Sequence, residues 1–508
     1  MRHPRLFIIL CLIATTSSAF AAGGSLTVSA REESDEEPTI TRMQIVRADA
    51  PKKRIPIRKT VSAGIGVVLD RECVLSLPDA AYQFRMIRGP EYRIITGTFS
   101  LERTSLDDHS VALPRMVHML EKGWTSGDCC VPASPMSLPL RMASEDLHLA
   151  AVMGHVDAKP IPSRDRDDPI ANDPAWIRED VQTDRGLIFF GAGEPTDEDA
   201  RLPVQKLLDV AKIEDAKIAV ENPFAWQLPV WLASQKIDGY FVLGDWLRLD
   251  RKIIRVKNGR PVDGPSVSEE LALGRFAERI YWNLLDAGLR IPLLAGTGDE
   301  AANTPVGYNR LYVANQLDDY EQDGKLEAHR VVTPEQWWHA AWQGQSIATN
   351  GPLLRPKLGG QIPGHVFEAR TGEVLQLQPE LTLSTRDPVD YLEVIHNGRV
   401  HYSARLDEFA KAGGKIPPLA VKESGWVTIR VQTLFEDHFR AAMSSPWYID
   451  FDGQRRITAR GVGFFQKWLT DYEQRLKRLP AAELKPHVPF VRAAREFWAA
   501  QAEQVTVE

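Results

Sequence analysis

Apolar and polar residues alternate between Thr39 and about Leu113, the first part of the chain with a regular pattern. The segment Tyr82–Arg88 alternates in the way that is typical of a strand with one buried face. Gly89-Pro90 is a turn signal, and Tyr92–Leu101 is rich in the β-branched and aromatic residues that strands favour. The pattern predicts an N-terminal β-sandwich domain over residues 39–120.

Short apolar runs alternate with helical segments between Gly123 and about Val313. The clearest predicted helix is Ser266–Leu289. It begins with a capping box of Ser266 and Glu269, and Gly288 is its predicted C-cap. Strands that alternate with helices predict a largely parallel sheet or barrel, with its βα loops at one end. The apolar runs of strand length are Gly186–Phe190, Lys217–Glu221, Ile237–Leu243 and Arg290–Ala295.

The alternating pattern returns after a second capping box, Thr333-Pro-Glu-Gln336, whose helix ends at Gly344. Tyr391–Val400 is predicted to form a hairpin with Asn397-Gly398 in a type I′ turn. Trp426–Val431 alternates cleanly, and two amphipathic helices follow Gly453. We therefore predict an α/β domain over residues 121–356, a C-terminal β-sandwich domain over 357–452, and C-terminal helices over 453–508.

The length and charge of the chain narrow its class. A chain of 508 residues is expected to hold about three domains. Its apolar fraction of 44% and charged fraction of 25% are typical of soluble globular proteins. The net charge of −7 argues against nucleic-acid binding, which usually requires a basic domain.

The N-terminus has the features of a secretory signal peptide over residues 1–22. Arg2 and Arg5 precede the apolar run Leu6–Ala14, and Ala19-Phe-Ala21 is a small-x-small cleavage signal. The run is shorter than the roughly 20 residues that span a bilayer, so no membrane span is expected. These features predict export to the periplasm or the extracellular space. The small and acidic residues 23–38 are expected to form a disordered linker.

Three cysteines remain outside this signal: Cys73, Cys129 and Cys130. Their odd number means that at least one thiol is free, modified or bound to a metal. A disulfide between Cys73 and either of the other two would be compatible with an oxidising compartment. The sequence does not decide between these states.

Gly123–Pro132 resembles the Gly-Asp-x-His-x-His motif of PHP-type (polymerase and histidinol phosphatase) metal-dependent hydrolases. The nearest likeness is to the carbamate-hydrolase-like branch of secreted, planctomycete-type proteins. The resemblance implies a distorted β/α barrel between the two β-sandwich domains, and a divalent metal such as zinc or manganese. Other stretches similar to that family are Arg88–Tyr92, Ser144–Leu149, Pro229–Ala233, Pro305–Arg310 and Thr349–Pro356.

The metal-binding motif departs from the family pattern. Gly127 and Asp128 are retained, but Cys130 and Pro132 stand where the family has its two histidines. Trp246 matches the position of a third histidine, and Gly296–Glu300 replaces a Gly-Ser-Asp-x-His-like motif. A cysteine thiolate or an aspartate oxygen can still ligate a metal.

Acidic residues follow four of the predicted strands: Glu194, Glu221, Asp245 and Asp299. Parallel β/α folds gather the C-terminal ends of their strands, so these side chains are expected to converge there. Loops are polar in general, and lone histidines more often pack or face solvent than bind metals. His155 and Asp157 are an alternative pair of ligands. The predicted metal ligands are Cys130, Asp146, His148, Asp245 and Asp299, and the predicted catalytic bases are Glu194 and Glu221.

Two functions follow from these features. The first is an exported metal-dependent hydrolase with an atypical metal site, which cleaves an ester, an amide or carbamate, or a phosphoester bond in a small molecule or glycan. The second is a catalytically inactive pseudoenzyme without a metal, whose pocket and β-domains bind a glycan, a peptide or a partner protein. The oligomeric state stays open. Convergence of Cys130, His148, Asp245 and Asp299 in one cavity would favour the hydrolase.

Overall fold

The structure is a computed structural model that shows a mixed α/β protein, rich in strands, with several sheets and a half-barrel. The predicted signal peptide lies outside the described residues. The described ranges are 24–34, 36–57, 59–102, 104, 106–131, 137–153, 176–193, 201–247, 259–260, 271–298, 304–315, 333–435 and 438–507.

The N-terminal region consists of two sheets that share one apolar core. Its strands are β1 (Ser25–Glu32), β2 (Ile40–Arg47), β3 (Ala50–Arg54), β4 (Val67–Asp70), β5 (Glu72–Ser76), β6 (Ala80–Ile87), β7 (Ile95–Leu101) and β8 (Leu106–Leu113). One sheet has the order β5-β1-β8, and the other has the order β3-β2-β6-β7 with β4 paired to β2. The alternating pattern of β6 buries Tyr82 and Met86 in the shared core, as the sequence predicts.

The predicted disordered linker is wrong for most of its length, because it contains β1. β1 pairs antiparallel with β5 and parallel with β8. Leu26, Val28 and Ala30 point from it into the core. The small residues between them alternate with these apolar ones, and this period of two stabilises a half-buried strand despite the acidic residues that follow.

The α/β region begins a large sheet that includes β9 to β17. Its helices are α1 (Leu138–Ala143), α2 (Pro203–Val210), α3 (Leu228–Ala233), α4 (Ala272–Asp286) and α5 (Pro334–Trp342). The strands are β9 (Trp124–Val131), β10 (Leu149–Met153), β11 (Trp176–Asp184), β12 (Leu187–Phe190), β13 (Lys217–Val220), β14 (Gly239–Leu243), β15 (Leu293–Ala295), β16 (Arg310–Ala314) and β17 (Ser346–Thr349). They are ordered β15-β14-β13-β12-β11-β10-β9-β16-β17.

This sheet is only partly parallel. β9, β10 and β11 are parallel to one another, and so are β13, β14 and β15. β12 is antiparallel to both of its neighbours, which corrects the expectation that every predicted strand ends at the same edge. The chain that continues from β12 towards Glu194 therefore leaves the sheet at the edge where β13 begins.

The sheet curls so that the loop after β15 meets β9. The backbone N–H of Gly298 donates to the carbonyl oxygen of Cys130 at 2.8 Å, and Thr297 bonds to Asp128. These bonds join the two ends of the half-barrel through a loop.

The C-terminal region continues the same sheet, since β17 pairs with β26. Residue 356, the predicted domain boundary, is therefore no break in the sheet. The helices are α6 (Leu406–Lys411), α7 (Ala459–Leu476), α8 (Ala481–Leu484) and α9 (Val488–Glu503). The strands are β18 (Leu353–Leu358), β19 (Val366–Ala369), β20 (Leu375–Leu377), β21 (Pro379–Ser384), β22 (Val389–His396), β23 (Arg399–Ala404), β24 (Leu419–Val421), β25 (Gly425–Thr433), β26 (Ala441–Ser444) and β27 (Trp447–Phe451).

Local sequence signals place several turns and caps correctly. The β22–β23 hairpin turns at Asn397 and Gly398, whose φ angles of 51° and 71° fit the predicted type I′ turn. α5 begins with the predicted capping box of Thr333 and Gln336. Gly288, with a φ of 81°, directly follows the C-cap of α4, and the predicted capping box at the start of this helix lies outside the described residues.

The last two long helices pack on the α/β region and complete its core. The indole N–H of Trp498 in α9 donates to the carbonyl oxygen of Pro229 at 2.9 Å. Its ring stacks on Phe465 of α7, with ring centres 5.0 Å apart. Over the described ranges, no helix combines the length and the apolar character that crossing a bilayer requires.

Candidate functional site

Cys130 and Asp245 meet at the edge of the half-barrel where β9 and β14 end. Cys130 is 2% exposed, and its thiol lies 3.5 Å from the sulfur of Met153. Gly298 bonds to the backbone of Cys130, and a side chain added at Gly298 would overlap Asp245. The structure therefore brings two of the predicted metal ligands to neighbouring positions.

Asp128 ties three segments together beside these residues. Its carboxylate accepts the backbone N–H groups of Cys130, Thr297 and Gly307 at 3.1, 2.9 and 2.8 Å, and also the hydroxyl of Thr297. Burial raises the pKa of Asp128 to about 6, while the donors favour the ionised form. With both oxygens used in this way, the retained motif aspartate has a structural role.

His148 lies elsewhere along the sheet. Its Nδ1 is 2.8 Å from the hydroxyl of Ser126, which precedes Cys130 by four residues on β9. At roughly 3.3 Å per residue, this puts His148 about 13 Å from the level of Cys130. The structure therefore does not bring this predicted ligand to the edge that holds Cys130 and Asp245.

Asp146 is used in a buried ionic network. It forms ion pairs with Arg88, at 3.3 Å, and with Arg115. Although burial opposes ionisation, the charges of Arg115 and Arg88 hold the pKa of Asp146 well below its usual range. This carboxylate is therefore committed to joining the N-terminal sheets to the α/β region.

Of the remaining predicted site residues, only Glu221 lies in the described part of the chain. Glu221 follows β13 and bonds through its backbone N–H to Gly186 at 2.9 Å. Trp246 is 3% exposed and packs edge-on against Phe224. Glu194, Asp299, Pro132 and the His155–Asp157 pair lie outside the described residues.

The three cysteines outside the predicted signal peptide are all described. Cys73, Cys129 and Cys130 form no disulfide in the part of the chain that is described. Burial raises the pKa of Cys73 to about 11 and that of Cys129 further, so both stay protonated at neutral pH. Among the described residues, no three His, Cys, Asp or Glu side chains are grouped so that they could hold a metal ion. The described ligands at the Cys130 edge therefore do not complete a catalytic metal site, which needs three protein ligands.

A second site lies where the N-terminal sheets, the α/β region and the C-terminal region meet. It is a cavity of about 220 Å³ whose lining is rich in guanidinium groups. We call it the arginine pocket and define it by Arg42 of β2, Arg85 of β6, Arg310 of β16, and the loop residues Arg386 and Arg440.

Two of these arginines are paired with acids. Arg42 forms a buried ion pair with Glu145. Arg440 donates to Asp387 at 2.9 Å and to the backbone oxygen of Asn350 at 2.9 Å. Their charges are balanced within the protein.

The other three arginines form no ion pair with any carboxylate of the described ranges. Arg310 is 1% exposed and donates only to backbone oxygens, including that of Glu145 at 3.0 Å. Arg386 donates to the backbone oxygens of Gly89 at 2.8 Å and Tyr92 at 3.5 Å. The side chain of Arg85 makes no hydrogen bond within the described part of the chain. The pocket thus carries an excess of positive charge.

The electrostatic cost of this arrangement appears in the pKa values. Burial, followed by the nearby charge of Arg440, lowers the pKa of Arg386 to about 10. Burial and the charges of Arg42 and Arg440 also lower the pKa of Arg85. An anion in the pocket would counter the repulsion between these groups.

Short stretches that are far apart in the chain build the lining of this pocket. Four of them contribute nine of its residues. No single stretch has the composition of an anion site, so only the fold reveals their common location. The lining residues concerned are Gly89, Pro90, Glu145, Gly307, Tyr308, Arg310, Thr349, Asn350 and Gly351.

Comparisons with known proteins identify no family for the chain. No family model matches it, and no curated protein matches it. Two solved structures of β-glucuronidase from Parabacteroides merdae, one with glycerol in the active site, are 11% and 10% identical to it, each with a TM-score of 0.17. They align over 82% of this chain, which spans 60% and 61% of the length of those chains. TM-scores this low support no conclusion on fold or function, and the PHP resemblance stays a prediction.

Proposed function

We propose that the protein binds a small acidic ligand in the arginine pocket and that its exported, PHP-like scaffold is catalytically inactive. One observation carries this proposal. Three guanidinium groups line one cavity, and none of them forms an ion pair with a carboxylate of the described residues. A planar guanidinium offers paired N–H donors that match a carboxylate or phosphate.

Burial makes the excess positive charge of the arginine pocket energetically costly. Removing a charge from water costs several kcal/mol unless a partner of opposite sign compensates it. Arg310 is almost fully buried, and Arg386 is partly buried. Backbone oxygens satisfy hydrogen bonds but supply no net charge, so an anionic ligand would add what these two arginines lack.

The other end of the half-barrel supports the inactive part of the proposal. The retained Asp128 is saturated by hydrogen bonds, and Trp246 belongs to the apolar core. Asp146 and His148 lie away from Cys130 and have other partners. The residues that would perform metal chemistry are thus largely used to hold the fold.

Replacing Arg386 by glutamine is expected to weaken anion binding about tenfold or more, because one charge-assisted contact contributes about 1.5–3 kcal/mol. The measurement is isothermal titration calorimetry of the mature full-length protein at low ionic strength, with inorganic phosphate and simple carboxylates as probes. Arg399→Gln, on the exposed face of β23, is the matched control and should bind as the wild type does. Equal binding by wild type and Arg386→Gln would contradict the proposal.

A metal-dependent hydrolase is a second candidate, favoured by the meeting of Cys130 and Asp245 beside Gly298. The family metal, when bound, would activate water for attack on an ester, carbamate or phosphoester. Two described ligands do not make a complete site, so we derive no catalytic step from them.

Elemental mass spectrometry of protein purified without chelators tests this candidate. If the pocket function is correct and the scaffold is inactive, zinc and manganese should stay well below one equivalent per chain. Stoichiometric metal that disappears in Cys130→Ala but remains in Cys73→Ala would instead establish a thiolate metal site. In that case the inactive part of the proposal fails, and hydrolase assays become the next step.

A further inference from the structure

We infer that the ligand of the arginine pocket is a short organic diacid, with one carboxylate held by Arg310 and Arg386 and the other by Arg85. This inference rests on the proposed function and adds the class of ligand. Three features of the cavity support it: guanidinium groups carried by different segments, apolar side chains in the same lining, and a small volume.

Arg310 and Arg386 form the first position. Arg386 donates to the backbone oxygen of Gly89, and Nη1 of Arg310 lies 3.5 Å from where a Cβ of Gly89 would be. Both guanidinium groups therefore lie close to Gly89. Together they offer more N–H donors than the backbone oxygens around them accept.

Arg85 forms the second position. It lies on β6 opposite Gln44 of β2, four residues before Gly89. Four residues of extended chain span about 13 Å at most, and Arg85 lines the same cavity as Arg310 and Arg386. A molecule with two acidic ends can therefore meet Arg85 with one and the Gly89 position with the other.

Part of the lining of the pocket is apolar. Ile65, Ile87, Ile94 and Phe435 line the cavity together with the arginines. Contact with aliphatic and aromatic side chains stabilises a carbon chain and gives nothing to an inorganic anion. The lining therefore favours an organic acid over free phosphate.

Three neutral side chains of the pocket each donate one hydrogen bond to the backbone of the protein. The amide of Gln44 donates to Ile65 at 2.8 Å, and that of Asn350 donates to Phe439 at 3.1 Å. The hydroxyl of Thr349 donates to Pro352. Recognition of an uncharged sugar would need such groups, so the chemistry favours charged ends over a glycan.

The volume limits the ligand to a small molecule. Pockets for drug-sized ligands usually measure about 300–1,000 Å³, and this cavity measures about 220 Å³. A short diacid fits this space, whereas a peptide or oligosaccharide does not.

The test compares succinate, butyrate and inorganic phosphate by calorimetry on the mature full-length protein. These probes are a diacid, a monoacid with the same number of carbons, and an anion without an apolar part. Succinate should bind about tenfold more tightly than butyrate, and more tightly than phosphate, because a second charge-assisted contact forms.

Arg85→Gln separates the two positions without disturbing a buried hydrogen bond. In this variant, the affinity for succinate should fall to that for butyrate. The affinity for butyrate should stay within about twofold of its value in the wild type. Arg386→Gln should weaken both acids, and Arg399→Gln should weaken neither.

Each alternative outcome has a distinct meaning. Equal affinity for succinate and butyrate, or tightest binding of phosphate, would overturn the diacid and leave the proposed anion site standing. Failure of all three probes in the wild type would overturn both proposals.

Discussion

Alanine in place of Gly89 is expected to destabilise the protein by about 3 kcal/mol and to abolish anion binding. Gly89 has a φ of +54°, where a Cβ is strained by about 1 kcal/mol. An added Cβ would also overlap the carbonyl oxygen of Glu145, a backbone atom that cannot move aside alone. Overpacking of this kind typically costs another 1–3 kcal/mol.

The loss of binding follows from the position of Gly89 between two arginines. Its carbonyl oxygen holds Arg386, and its Cα faces Arg310. Moving the Gly89 turn away from Glu145 would therefore displace both guanidinium groups of the first anion position. Urea unfolding measures the stability, and calorimetry with succinate measures the binding.

Gly360→Ala is the matched control for backbone strain. Gly360 has a φ of +76°, and nothing lies within 4 Å of its added Cβ. This variant should lose only about 1 kcal/mol and keep its affinity. If Gly89→Ala is no less stable than Gly360→Ala, the close approach to Glu145 has no energetic weight.

The fold was predictable from sequence where local signals decide it. Periodicity located β6, β25 and the C-terminal helices, and turn chemistry located Asn397-Gly398. The prediction of a disordered linker failed for β1. The acidic residues around Glu32–Glu37 are typical of disorder, whereas the alternation of Leu26, Val28 and Ala30 is typical of a strand. Periodicity also could not reveal the direction of β12, since an apolar run of four residues looks the same in either orientation.

The anion site was less accessible to prediction, for a physical reason. Its charge comes from arginines as far apart as Arg42 and Arg440, and each is unremarkable where it stands in the sequence. Whether a guanidinium is paired depends on which carboxylate the fold brings near it. Arg42 meets Glu145, whereas Arg310 meets only the backbone oxygen of the same residue.

The structure shows where two of the predicted metal ligands lie relative to the strand ends. Cys130 and Asp245 do come together there, because β9, β14 and the loop after β15 meet at one edge. Asp146 and His148 precede β10 and lie at the other end of that strand. Residues close in sequence to a motif can thus be distant from its site when a strand runs between them.

The largest loss of stability is expected on replacing Asp128 by alanine, about 4 kcal/mol. The change leaves the buried N–H groups of Cys130, Thr297 and Gly307 without an acceptor. Each unsatisfied buried donor costs about 1–3 kcal/mol, with some relief from local movement. Asp128→Asn should cost about 2 kcal/mol, because its one oxygen can serve the donors on one side only and its NH₂ group opposes those on the other.

Urea unfolding of the mature protein distinguishes this structural role from a catalytic one. Asp107→Ala, on the exposed part of β8, should change the free energy of unfolding by less than about 0.5 kcal/mol and serves as control. Full stability of Asp128→Ala would mean that the three segments do not depend on this carboxylate, and a role in chemistry would then regain support. A large loss of stability, smaller for asparagine than for alanine, would instead show that Asp128 joins β9 to the loops that contain Thr297 and Gly307, with or without any metal.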